Sequence, residues 1–124
     1  MSQKQILLID DESDIQMLAE MGLKMTTEWS VLCASSGKEG VAIATSVSPD
    51  VILLDVMMPE MDGPATLIEL RANATTQKIP IIFLTAKAQA KDRRDLYAAG
   101  ADGIITKPFD PTTLASQISD FLRW

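Results

Sequence analysis

Five short runs of consecutive apolar residues punctuate the chain, at positions 6–9, 31–34, 51–54, 81–84 and 103–105. They are rich in Ile, Val and Leu and do not alternate with polar residues, which is the pattern of strands buried on both faces. Between them the apolar positions fall at helical spacing. Ile15, Leu18, Ala19 and Gly22 share one face, Leu67, Ile68 and Arg71 begin another helix, and Leu114, Ile118, Phe121 and Leu122 form the clearest stripe. Helix starts are marked as well: Ser36 with Glu39 predicts a capping box, Asp110-Pro111 an N-cap followed by an N1 proline, and Asp62-Gly63-Pro64 a turn feeding a helix.

Five strand–helix units predict an α/β fold built on a parallel sheet, with right-handed crossovers placing helices on both faces. Five units are too few to close an eight-stranded barrel. The expected architecture is therefore an open five-stranded sheet in the flavodoxin-like order 2-1-3-4-5, and a ligand should bind beyond the carboxyl ends of its strands. A length of 124 residues predicts one domain over 1–124.

Charge and composition narrow the chemistry. Eleven Lys and Arg against seventeen Asp and Glu give a net charge of −6, which argues against nucleic-acid binding, a process dominated by neutralising phosphates. There is no histidine, which removes Ser-His-Asp and Cys-His catalysis, imidazole zinc sites and any role as a phosphohistidine donor. No apolar run approaches the ~18 residues of a membrane span, and Met1-Ser2-Gln3-Lys4-Gln5 does not open a signal peptide. The single cysteine, Cys33, lies in the run Val31-Leu32-Cys33-Ala34 and reads as an inert buried thiol. A cytoplasmic protein is expected.

The informative residues close the strands. The first run ends in Asp10-Asp11-Glu12, the third in Asp55, the fourth in Thr85 and the fifth in Thr106-Lys107-Pro108. Acids before a helix are ordinarily caps or first-turn charges, so Asp10 and Asp11 alone would say little. Asp55 is different, because a carboxylate closing an apolar strand is costly unless something compensates it. With the first and third strands adjacent, three carboxylates converge, and together they call for a hard cation of the Mg²⁺ type. Lys107 then reads as an ion-pair partner for Asp55 or for an incoming anion, and the Thr85 hydroxyl as a donor to phosphoryl oxygens. Three acids, a hydroxyl and a lysine on one sheet edge suit phosphoryl transfer.

These residues sit in motifs that resemble the receiver domain of two-component response regulators. The motifs are Leu8-Ile9-Asp10-Asp11-Glu12, Asp55-Val56-Met57-Met58-Pro59-Glu60-Met61-Asp62-Gly63, Pro80-Ile81-Ile82-Phe83-Leu84-Thr85-Ala86, Gly100-Ala101-Asp102 and Lys107-Pro108-Phe109. The similarity spans residues 6–122, close to the length of single-domain chemotaxis-type receivers. It implies that Asp55 accepts a phosphoryl group from a phosphohistidine on a sensor histidine kinase or phosphotransfer protein. It further implies that Asp11, Asp55 and the Met57 carbonyl bind Mg²⁺, with Asp10 acting through a water. Lys107 would pair with Asp55 and then with the phosphoryl group, Thr85 would carry the switch, and Lys107-Pro108 would be a cis bond. Such a protein is not a turnover enzyme; it catalyses only its own phosphorylation and slow autodephosphorylation.

Other readings of the same residues are a phosphorelay intermediate, the excised receiver of a larger regulator, an aspartyl-phosphate phosphatase and a flavin carrier. The phosphatase wants an acid where Met57 stands, and the flavin carrier wants a Ser/Thr/Gly-rich loop where Asp10-Asp11-Glu12 stands. Many receivers carry an aromatic three residues before the lysine, whereas this chain has Ile104, so a ring-flip switch is not expected. Gly103 and Ile104 replace an acidic-aromatic pair common in dimerising receivers, which predicts a monomer or weak dimer. Residues 87–99 predict a helix with a thin apolar face of Ala90, Leu96 and Ala99, suited to moving. Met57 and Lys87 should flank the approach of hydrolytic water to the acyl phosphate. Neither offers an acceptor to orient that water, so a long-lived phosphorylated state is expected.

Overall fold

Each apolar run of the sequence becomes a strand one residue longer than the run itself. A computed structural model describes residues 3–124. Along the chain the elements are β1 (Gln5–Ile9), α1 (Ser13–Thr26), β2 (Ser30–Ala34), α2 (Gly37–Val47), β3 (Val51–Asp55), α3 (Gly63–Ala72), β4 (Ile81–Thr85), α4 (Ala90–Ala99), β5 (Gly103–Thr106) and α5 (Leu114–Leu122). The strands form one sheet in the order β2-β1-β3-β4-β5, all neighbours parallel. The expected doubly wound order is the one observed.

Successive strand residues point to opposite faces, and each face has its own core. Leu8, Leu53 and Leu84 pack with Leu23 of α1 and Ile118 of α5. Ile9, Leu54 and Phe83 pack with Leu67 and Leu70 of α3 and Leu96 of α4. Both sides of β3 and β4 are covered, so all five residues of each are buried. Such side chains contribute about 1.5–3 kcal/mol apiece, which makes the central strands a stiff platform for whatever their ends carry.

Several local expectations are corrected. β2 is an edge strand with three half-buried residues, so Cys33 is half-buried rather than enclosed. In α3 the buried face is Gly63, Thr66, Leu67 and Leu70, and Ile68, expected on the inner stripe, is 66% exposed. α4 begins at Ala90, three residues later than expected, and buries only Leu96; Ala90 and Ala99 are exposed. Asp110 does not cap α5. Its carboxylate accepts from the Thr112 N–H (2.9 Å) and hydroxyl (2.7 Å), closing a turn around Pro111, and the helix starts at Leu114 with Thr113 as its N-cap. Ser36 does cap α2, accepting from the Glu39 N–H at 3.1 Å, but Glu39 reaches back to the N–H of Ser35 rather than of Ser36. Phe121, expected inside, is 37% exposed; its ring lies over Gly103, where a Cβ would stand 2.6 Å from Cγ.

Candidate functional site

The sheet ladder continues one step past the strand ends and fixes the backbone of the residues that follow them. The Asp10 N–H donates to the Ala34 carbonyl (3.0 Å), Val56 to Leu84 (3.2 Å) and Lys107 to Thr85 (2.8 Å). Ile9 pairs with Leu54 and Asp55 with Leu84, so Asp10 and Asp55 lie side by side at the carboxyl edge. The β3–α3 loop folds back over this edge: Gly63 donates to the Val56 carbonyl at 2.8 Å. A Cβ on Gly63 would meet the Asp55 carbonyl at 2.5 Å, so the close return demands glycine. Asp62 then caps α3, accepting from the Ala65 N–H at 2.9 Å.

Asp10, Asp11 and Asp55 each place a carboxylate oxygen within 4.8 Å of the others. Asp10 is fully buried, Asp55 is 4% exposed, and Asp11 opens to solvent. Lys107 reaches into this group with its Nζ 2.9 Å from Asp10 Oδ2, 3.1 Å from Asp55 Oδ1 and 3.7 Å from Glu12 Oε1. The other oxygen of Asp10 accepts from the Glu12 N–H at 2.9 Å. Burial first, then the neighbouring charge of Asp10, pushes the Asp55 carboxyl above its usual range, against the opposing pull of Lys107 and the Met57 N–H. For Lys107 burial works toward the neutral form, but the hydrogen bonds and charges of Asp10 and Asp55 outweigh it and raise the ammonium pKa. Lys107 is thus a fixed cation.

One ammonium among four carboxylates leaves the cluster short of positive charge. Its donors are all hard oxygens, and Asp11 has an exposed carboxylate with no partner among the described residues, a set that fits a divalent cation of the Mg²⁺ type. Asp10 has both oxygens engaged, which suits an outer position. The Met57 backbone adjoins the group, near enough for its N–H to favour the ionised Asp55 carboxyl; its side chain is 65% exposed. The Lys107-Pro108 peptide bond is cis.

Thr85 closes β4 on the same edge but its hydroxyl is engaged elsewhere. It accepts from the Lys87 N–H at 2.9 Å and donates to the Lys87 carbonyl at 3.2 Å. The structure therefore brings Asp10, Asp11, Asp55 and Lys107 together and holds Thr85 beside them, tied to its own loop. Beyond Thr85, a cleft of about 120 Å³ lies under α4, lined by Val56, Thr85, Lys87, Asp92, Asp95 and Leu96. Sequence reasoning missed the two Thr85 bonds and the part played by Glu12. The Thr-X-Lys spacing permits such a local turn, but spacing does not say whether the hydroxyl uses it.

Among the described residues no helix is long and apolar enough to cross a membrane. A family model for the response regulator receiver domain matches residues 6–119. The chain is 37% identical over 118 residues to the DNA-binding dual master transcriptional regulator RpaA of Synechocystis, covering 95% of this chain and 48% of that protein. It is 32% identical over 117 residues to the response regulator Rre1 of Synechocystis, covering 94% and 51%. The chain thus spans about half the length of these curated relatives. Its fold matches the chemotaxis response regulator CheY4 of Vibrio cholerae with a TM-score of 0.89 and 29% identity, over 97% of this chain and 99% of that one. It also matches the signal receiver domain of a signal transduction histidine kinase from Syntrophus aciditrophicus, with a TM-score of 0.83 and 32% identity, over 97% and 90%. The motifs, the strand order and the acidic edge agree with these likenesses, and the chain belongs to the response regulator receiver domain family.

Proposed function

We propose that Asp55 takes a phosphoryl group from a phosphohistidine presented by a sensor histidine kinase or a phosphotransfer protein, and that the resulting acyl phosphate alters the affinity of this domain for its partners. The observation that carries this reading is the unbalanced cluster, three carboxylates within 4.8 Å and a lysine shared by two of them. A carboxylate oxygen of Asp55 forms the new O–P bond, the N–P bond breaks, and its electron pair stays on the leaving imidazole. Asp11, Asp55 and the Met57 carbonyl would hold Mg²⁺, with Asp10 behind them through a water. The metal would neutralise phosphoryl oxygens as charge develops on them.

Lys107 is already placed to follow that charge, since its ammonium bonds Asp55 at 3.1 Å and moves with little rearrangement to a phosphoryl oxygen attached there. Thr85 must give up two bonds to Lys87 to donate to the phosphoryl group. That exchange is the switch, and the loop that loses those bonds leads directly into α4. Ile104 is buried and lacks a ring to rotate, so the change passes through backbone and packing. The domain acts once per phosphoryl group rather than as a turnover enzyme.

Incubation with acetyl phosphate and Mg²⁺, followed by intact-mass measurement, should show one added phosphate in the wild type and none in Asp55→Asn. Labelling of Asp55→Asn at the wild-type rate would move the acceptor elsewhere. A phosphorelay role remains the second reading, supported by the likeness to the receiver domain of a histidine kinase. Return of the phosphate to a histidine phosphotransfer protein would select it.

A further inference from the structure

Two adjacent methionines follow the acceptor strand and differ sharply in exposure. Met58 is 8% exposed, whereas Met57 is 65% exposed, although Asp55, two residues earlier, is only 4% exposed. The Met57 side chain therefore starts two residues along the chain from the acceptor and ends in water. It lines an open groove of about 460 Å³ with Val56, Met58, Pro59 and Asp62, wide enough for a small solute to reach the sulfur. A thioether there is apolar and a poor hydrogen-bond acceptor.

We propose that Met57 is a site of reversible oxidation by peroxides, and that its sulfoxide shortens the life of the phosphorylated state. The sulfur lone pair attacks the peroxide O–O bond, an S–O bond forms, and the second oxygen leaves as water or an alcohol. Sulfur is oxidised by two electrons and the peroxide reduced by two. The product is polar, and its S–O oxygen accepts strongly. Two residues from the acyl phosphate, it exchanges an apolar, flexible side chain for an acceptor that, swung toward Asp55, is able to orient a water toward phosphorus. The domain would then respond to oxidants in the duration of its signal, with its ability to receive a phosphoryl group retained. This inference rests on Asp55 being the acceptor.

Met17, Met21 and Met25 on α1 are 63%, 52% and 70% exposed, so they oxidise under the same conditions and serve as internal references. The test treats protein with hydrogen peroxide, maps sulfoxides by peptide mass, phosphorylates it with acetyl phosphate and Mg²⁺, removes the donor and follows loss of phosphate. Untreated protein must first gain one phosphate mass; failure there rejects the acceptor assignment and is distinct from failure of the oxidation step. Oxidised wild type should lose phosphate on the order of tenfold faster than untreated. That is below a full general base, because a sulfoxide orients water without taking its proton. The variant with Met17, Met21 and Met25 all changed to Leu should keep the acceleration. Met57→Leu should show equal decay before and after peroxide, whatever its starting rate. Methionine sulfoxide reductase treatment should restore the slow rate of the wild type. An unoxidised Met57 in protein whose α1 methionines are oxidised would overturn the proposal, as would unchanged decay with Met57 oxidised, or acceleration that survives in Met57→Leu.

Discussion

The two ends of the sheet each hold a cluster of opposite charges, and the clusters follow different rules. At the amino end, Arg71 of α3 donates to the carbonyls of Gln77 (3.0 Å), Ile79 (2.6 Å) and Gly100 (3.3 Å) and to Asp102 Oδ2 (3.0 Å). Asp102 Oδ2 accepts in turn from the Ile81 N–H at 2.9 Å. One cation meets one anion, and main-chain groups take the remaining capacity. At the carboxyl end, Lys107 faces Asp10, Glu12 and Asp55, with Asp11 alongside. A structural cluster saturates itself, whereas this one is left needing a cation and has a lysine ready for an anion. Buried ionisable groups mark function more reliably when their charges fail to balance than when they are merely close.

Removing the cation from each end should separate the two most strongly. Lys107→Met strands a fully buried Asp10 carboxylate with a single N–H donor. Breaking such a buried pair costs about 3–5 kcal/mol, and Mg²⁺ should recover much of that loss in denaturant melts. Arg71→Met should cost about 1–2 kcal/mol, less because the two side chains are 27% and 45% exposed, and Mg²⁺ should recover none of it. Equal rescue of both variants would erase the distinction between the ends.

A smaller effect sharpens the carboxyl end alone. Mg²⁺ at ten times its dissociation constant stabilises by about 1.4 kcal/mol, roughly 5–6 °C in melting temperature for a domain of this size. Asp11→Asn should abolish most of that rise and leave the metal-free melt near wild type, because Asp11 is exposed and bonds nothing among the described residues. A Mg²⁺ shift identical to wild type would remove Asp11 from the ion's ligands.

The smallest effect concerns pH. The Asp55 carboxyl is held above its usual range, so the folded state takes up this proton at higher pH than the unfolded chain does. Its contribution to stability is therefore least above the folded pKa and improves as pH falls through that value toward the unfolded one, near 3.9. Without metal, Asp55→Asn should melt higher than wild type near neutrality, and the gap should narrow toward about pH 4. A gap that widens on acidification would contradict the raised pKa.

The strands, their order and the acidic edge were legible because each has a local signature. Buried strands show as unbroken apolar runs, and a carboxylate that ends such a run is conspicuous. The Arg71–Asp102 cluster was not legible, since its members lie 31 positions apart and Arg71 reads as an ordinary helix residue. Ile68 misled for a related reason: its neighbour Leu67 faces the core, and a short helix leaves the inner stripe uncertain by one position. Asp110-Pro111 has the composition of a helix start, yet Asp110 bonds Thr112 instead, and the same side-chain chemistry serves turn or helix. At the edge of the sheet, β2 has an apolar run like the others. Its half-buried state depends on how much of the rest of the fold covers that edge, since β5, the other edge strand, buries Gly103, Ile104 and Ile105.

The chain has two tryptophans, and the fold brings them together away from the acidic edge. Trp29, in the connection before β2, meets Trp124, just after α5, edge to face at 5.2 Å, and Lys4 Nζ lies 4.7 Å from the Trp124 ring centroid. Both rings sit at the amino end of a sheet whose central strand β3 is five residues long, about 17 Å at 3.3 Å per residue. Tryptophan emission from the wild-type chain is thus a gauge of whether the end of α5 remains docked, spectrally insulated from the carboxylates. Any shift in that emission when Asp55 is modified would measure how far a local rearrangement has propagated through the fold, with no dye or engineered probe required.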